Sequence, residues 1–280
     1  MMRWAGAAMA AGLMMTLSAC EQRAADPAAP AGADAAAASA DGLSGTWTVD
    51  TASLKFEGKP DQYLLQGGTY KCDSCIPPLT VAADGAFHPV ADRPYYDSMS
   101  VKTVDDRTVE FRRQKSGKDA SSSIWQVSED GNVLTNKFVD MTTPNNRIEG
   151  SNTSKRVGAA PAGAHAISGQ WAPDRVQEYS KDALDMTFAV DGNRVTMNSQ
   201  GQSYTAEIGG PAVAIQNDPG GTMIAVTREG ANGLRETATR DGKEVGINTF
   251  VPSADGRSIN ATFTDPRDGS KTILTANKKG

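Results

Sequence analysis

Ser44-Gly45-Thr46-Trp47 and Ser168-Gly169-Gln170-Trp171 are one four-residue phrase written twice, at an offset of 124 (168 − 44). The offset persists downstream. Asp61-Gln62-Tyr63-Leu64-Leu65 falls on Asp185-Met186-Thr187-Phe188-Ala189, and Met99 falls on Met223. It then becomes 125, matching Ser116-Gly117-Lys118 to Asp241-Gly242-Lys243, Asp130-Gly131 to Asp255-Gly256, and Phe138 to Phe263. A fixed period of this length marks an internal duplication. It places one copy over residues 42–157 and a second over 167–280. Gly158-Ala159-Ala160-Pro161-Ala162-Gly163-Ala164 lies within a short linker, 158–166, that keeps the two units in contact.

Within each copy, apolar and polar residues alternate with period two. Met99, Val101 and Thr103 oppose Ser98, Ser100 and Lys102; Val109 and Phe111 oppose Thr108, Glu110 and Arg112; Met186, Phe188 and Val190 oppose Asp185, Thr187 and Ala189. Such alternation turns one face of a strand to a core and the other to water. Asp-Gly pairs beginning at 84, 130, 191, 241, 255 and 268 supply the positive φ angles of tight hairpins. About eight short strands per copy follow. So long a meander exposes its edges unless it closes or packs on itself. The expected fold is therefore all-β: two tandem small antiparallel meander barrels or sandwiches.

The N-terminus reads as an address. Arg3 precedes an uncharged run from Trp4 to Leu17, the charged-then-apolar order of an export signal, too short to span a bilayer comfortably. Leu17-Ser18-Ala19-Cys20 resembles the lipobox of bacterial lipoproteins. The resemblance implies removal of residues 1–19 as a signal peptide, acylation of Cys20 (palmitate and related chains), and attachment to a membrane through that anchor. Glu21, rather than Asp, after the cysteine leans by analogy toward the outer membrane, facing the periplasm. Residues 20–41 are almost all Ala, Pro, Gly and Asp, with too little apolar bulk to offset ordering entropy, and form a disordered tether.

The full chain carries a formal net charge of −5, which the loss of Arg3 takes to −6. A mildly acidic chain without basic clusters argues against nucleic acid and against anionic membrane surfaces as partners. Phe111-Arg112-Arg113-Gln114-Lys115 reads as the solvated end of a hairpin.

The Gly-x-Trp opening of each copy, at Trp47 and Trp171, resembles the first motif of lipocalins, in which the tryptophan packs across the barrel base. That resemblance implies an arginine stacked on the indole. Arg156 is placed to serve Trp47, whereas the second copy offers only Lys278 and Lys279. A closer resemblance is to uncharacterised lipocalin-like lipoproteins of proteobacteria, carried by Gly68-Thr69-Tyr70-Lys71-Cys72-Asp73-Ser74-Cys75-Ile76-Pro77-Pro78 and by Pro161-Ala162-Gly163-Ala164-His165. It implies a fold and no particular activity.

Candidate chemistry is sparse. Beyond Cys20, the cysteines Cys72 and Cys75 suit a disulfide across the Asp73-Ser74 turn in an oxidising compartment; a redox pair, a metal or haem site, and free thiols are the alternatives. The second copy has Thr196 and Ser199 in their places. A zinc site lacks further ligands, and Ile76 stands where covalent haem would need His. No metal and no cofactor is expected. His88 could act as a base with Asp92 or Asp97, but reads more readily as a surface residue, and His165 lies in the linker. No nucleophile elbow, phosphate loop or zinc-protease signature is present. Enzyme activity is therefore not expected. Pro94-Tyr95-Tyr96, opposite Pro219-Gly220-Gly221, places two rings in a loop where they could meet an apolar ligand or pack over the core.

Three functions follow. The first is a non-catalytic binding module for a small hydrophobic or amphipathic ligand. The others are a structural lipoprotein contacting envelope proteins, and a thiol-active periplasmic factor using Cys72 and Cys75.

Overall fold

The structure, a computed structural model, describes residues 40–280. The signal peptide, Cys20 and nearly all of the tether lie outside the described residues. The strands of the first copy are β1 (Gly45–Val49), β2 (Lys55–Glu57), β3 (Asp61–Gln66), β4 (Thr69–Cys72), β5 (Leu79–Ala82) and β6 (Asp84–Pro89). They continue with β7 (Ser98–Asp105), β8 (Thr108–Lys115), β9 (Lys118–Val127), β10 (Val133–Asp140) and β11 (Ile148–Gly158). Those of the second are β12 (Gly169–Tyr179), β13 (Asp185–Asp191), β14 (Arg194–Ser199), β15 (Gln202–Glu207) and β16 (Val213–Ala214). The last five are β17 (Met223–Glu229), β18 (Gly233–Arg240), β19 (Lys243–Pro252), β20 (Ser258–Thr264) and β21 (Lys271–Lys278).

These strands form two nearly closed antiparallel sheets, as the alternation requires, with separate apolar interiors. Of the Asp-Gly pairs, Asp241-Gly242 forms a two-residue hairpin turn and Gly192 opens another, whereas Asp84-Gly85 lies within β6 and the pairs at 130, 255 and 268 sit in longer loops. Ser116-Gly117 and Asp241-Gly242 both have paired positive φ, the geometry that lets a hairpin keep the right-handed twist of its strands.

The sheets do not follow the sequence copies at their first strands. One sheet runs β5-β4-β3-β12-β11-β10-β9-β8-β7-β6, so the opening strand of the second copy lies among the strands of the first. The other runs β15-β14-β13-β1-β21-β20-β19-β18-β17-β16, with β2 also on β21, so the opening strand of the first copy closes the sheet of the second. The first barrel is thus one stretch, Asp61 to Tyr179. The second joins 185–278 to 45–57.

The Ser-Gly-x-Trp phrase is the lock for this exchange. Ser44 Oγ accepts from Val190 N (3.0 Å), and Ser168 Oγ accepts from Leu65 N (2.9 Å), each reaching a strand of the other copy. Gly45 and Gly169 have φ of +132° and +117°, and a Cβ on Gly169 would lie 2.6 Å from the Gly158 carbonyl oxygen. Both indoles are fully buried, and each donates to the carbonyl four residues before it, Leu43 or Ile167.

Three expectations are corrected here. Arg156 stacks on Trp171 (4.0 Å) and not on Trp47, because the exchanged strand brings Trp171 to it; Lys278 takes the same place over Trp47 (5.0 Å). Met99 is equivalent to Ile224 rather than Met223, since Met99 pairs with Arg113 and Ile224 with Ala238. A one-residue slip turns a side chain to the opposite face, and Met223 is exposed where Met99 is buried. Finally, Arg113 is not at the solvated end of its hairpin. It continues the inward series Val109, Phe111, and lies buried beneath the Tyr96 ring (5.5 Å).

The barrels meet through the loops at one end of each. Tyr95 Oη accepts from Arg240 Nη2 (3.0 Å), Asn146 Nδ2 donates to the Gln200 carbonyl (2.6 Å), and Gln202 Nε2 donates to Thr143 Oγ1 (3.2 Å). The linker is pinned, with His165 Nε2 donating to the Asp105 carbonyl (2.6 Å).

Candidate binding cavity

β12 pairs with β3 only at Gly169–Trp171, because the chain before Asp61 departs through Pro60 and Lys59 to the second barrel. The rest of β12, to Tyr179, has no strand on that side among the described residues. At this gap a cavity of about 190 Å³ opens between the barrels. Its inner wall is Tyr63, Trp125, Leu134 and Asn136 of the first barrel; Val176 and Tyr179 form one side, and Asn248 and Phe263 of the second barrel the other.

The wall is aromatic. Trp125 lies 4.8 Å from Tyr63 and 4.6 Å from Phe111, ring centre to ring centre. Tyr179 packs edge-on against Phe138 (5.5 Å), and burial, with a smaller push from Asp140, raises its phenol to about 12, so it stays neutral at physiological pH. The charged rim is balanced: Glu57, Asp61 and Asp265 against Lys59, Arg175 and Lys271. Asp265 pairs with Arg267, Arg175 with Asp174, and Asp61 accepts from Ser74 Oγ (3.2 Å).

Two polar atoms of wall residues, both closed off from the cavity itself, stand out. Trp125 Nε1, a donor, and Asn136 Oδ1, an acceptor, are buried with no hydrogen-bond partner among the described residues. They belong to directly opposed residues of β9 and β10. Leaving such a group unpaired costs about 1–3 kcal/mol. The second barrel provides an internal comparison. Phe250 and Ala261 are paired in the same way, 125 residues on, and both are fully buried and apolar. Arg113, whose Nη1 is also buried and unpartnered, has Ala238 at the matching place. The interior of the first barrel is therefore polar and unsatisfied where that of the second is apolar. The second barrel has buried polar groups at other positions: Glu236, accepting from Tyr204 Oη and from Asn248 Nδ2 (2.9 Å), and Arg240, whose Nε and Nη1 are buried with no partner among the described residues.

The residues singled out from sequence lie elsewhere. Cys72 and Cys75 form a disulfide, with Cys72 buried in the first core. Tyr96 packs against that core, Tyr95 reaches Arg240, Thr222 and Gly220 of the second barrel, and neither lines the cavity. His88 Nε2 bonds Asp84 (2.8 Å) rather than Asp92 or Asp97. Trp47 and Trp171 are core. The cavity residues were missed, yet a signal existed: setting the copies side by side shows Trp125 against Phe250 and Asn136 against Ala261.

No protein-family model matches the chain, and no curated protein matches it.

Proposed function

We propose that the chain is a lipid-anchored lipoprotein of the bacterial cell envelope, tethered through Cys20 to the outer membrane on its periplasmic side. There it works as a non-catalytic module that binds a small hydrophobic or amphipathic molecule. The observation behind this reading is the cavity of about 190 Å³ between the barrels, lined by Tyr63, Trp125, Tyr179 and Phe263 together with Asn136 and Asn248. An aromatic wall with a few convergent polar groups is the usual make-up of a small-molecule site. The size sets the scale, since a cavity of about 150 Å³ accepts benzene. The resemblance to lipocalin-like lipoproteins bears on the fold and the lipid anchor and implies no ligand.

Native mass spectrometry of the full chain, gently extracted from its membrane, tests it. The expected spectrum contains a population heavier than the acylated protein by one small molecule, lost on mild activation. A single bare species, together with no thermal stabilisation by any member of a panel of small aromatic compounds, overturns the proposal.

A further inference from the structure

We infer that the disulfide between Cys72 and Cys75 is a redox-sensitive latch on the cavity: closed, it holds the first residues of β3 in the cavity wall, and opened to two thiols it releases them. The inference goes beyond the binding reading and concerns the wall itself, whatever the cavity holds.

The duplicate barrel shows what the disulfide replaces. Tyr63 and Phe188 hold the same place, each opposite the glycine of a Ser-Gly-x-Trp phrase, Gly169 or Gly45. In the second barrel the ladder of β13 and β14 runs on beyond Phe188 for two pairs, Thr187 with Asn198 and Met186 with Ser199. In the first barrel it stops at Tyr63 and Cys72, so Gln62 and Asp61 have no β4 residue opposite them. The turn enclosed by the disulfide holds them instead. Gln62 N donates to Ser74 Oγ (2.9 Å), Ser74 Oγ donates to Asp61 Oδ1 (3.2 Å), and Asp73 N donates to the Gln62 carbonyl (3.1 Å). Asp61 and Tyr63 line the cavity, as do Lys59 and Pro60 just before them, where the chain crosses between the barrels.

A bridge from Cys72 to Cys75 leaves Asp73 and Ser74 few conformations, which keeps these bonds made. As two thiols the segment regains backbone freedom, and the bonds must compete with it. Arg93 ties the far side of the loop through the carbonyls of Ile76, Pro77 and Pro78, so the release is confined to the side facing β3. Cys72 is buried and Cys75 only partly, which sets the order of events. A dithiol attacks Cys75 Sγ as the thiolate, and Cys72 leaves. The reductant's second thiol then displaces Cys75, so the dithiol gives up two electrons and becomes a cyclic disulfide, while both cysteines take up protons.

Hydrogen–deuterium exchange of the full chain, with and without dithiothreitol, reads the latch. Reduction is expected to speed exchange over residues 58–66 about tenfold and to leave 185–199 unchanged. It should also raise acrylamide quenching of Trp125, which Tyr63 covers at 4.8 Å between ring centres; the signal is assigned by its absence in Trp125→Phe. Ser74→Ala should exchange fast over 58–66 with the disulfide intact, and reduction should add little. The double variant Cys72→Ala, Cys75→Ala should match the reduced parent. If dithiothreitol leaves the bond intact in the folded chain, or reduces it without changing 58–66, there is no latch. If exchange rises but Trp125 is quenched no more than before, the bond braces β3 without governing the cavity, and the inference falls. Neither failure touches ligand retention, so the binding reading is judged separately.

Discussion

Glu236 shows what one buried group costs this fold. Burial raises its pKa, and the hydrogen bonds from Tyr204 and Asn248 only partly oppose the rise. A carboxyl whose folded pKa lies above its unfolded value binds its proton more tightly when folded. The contribution of Glu236 to stability is therefore greatest below the ordinary glutamate range, near pH 4.3, and is lost as pH rises through the folded value. Glu236→Gln cannot ionise, so it should melt above the parent at neutral pH, by roughly 2–4 °C for each kcal/mol relieved, and match it below about pH 4. Melting curves at the two pH values decide the matter; an equal difference at both would show that ionisation is not the cause. Arg113 belongs at this scale too. Alternation alone put it inside, but the charge in Phe111-Arg112-Arg113 drew the sequence reading toward solvent, because hydropathy is judged residue by residue and burial is decided by the strand.

Among elements, the consequential one is β1, short and placed far from its own copy. Leu43, Trp47 and Val49 all lie in the core of the second barrel. A buried tryptophan alone is worth about 3–5 kcal/mol over alanine, against a whole-domain stability of about 5–15 kcal/mol. Deleting residues 42–57 should therefore unfold the second barrel, whose copy is otherwise complete, and spare the first, from which the sequence was cut. Limited proteolysis followed by mass spectrometry should find cleavage concentrated in 185–280 and a resistant core near 61–179. Cleavage spread evenly over both halves would contradict the exchange. This exchange was not legible in the sequence, because two copies with the same alternation offer β1 equally good partners in β3 and β13. The connection lengths held the clue: ten residues separate Gly158 from Gly169, enough for a hairpin, so β11 and β12 become neighbours.

For the molecule as a whole, duplication, strand content and turns were all legible, since each depends on local pattern. The cavity was not, since it exists only where Pro60 and Lys59 leave one barrel for the other and β12 runs on alone. The exchange also places both ends of the described chain in one ladder, with Trp47 opposite Lys278 and Lys279 N donating to the Thr46 carbonyl (2.8 Å). A circular permutant that joins Gly280 to Gly42 by a short flexible loop, with new ends between Tyr179 and Asp185, should keep both cores. It would read as two uninterrupted barrels in order, and its far-ultraviolet dichroism and melting cooperativity should match the parent. Loss of folding would mean that the crossing between the barrels is itself required.

The antiparallel pair of β1 and β21 joins residues about 230 positions apart. A chain that appears from its N-terminus at about 5–20 residues per second makes Trp47 wait roughly 10–50 s for the strand that will cover it. The earlier barrel can be finished by then, all of its strands having emerged by Tyr179. Maturation is thus split into an early closure and a late one, and the first piece to emerge is among the last to be seated.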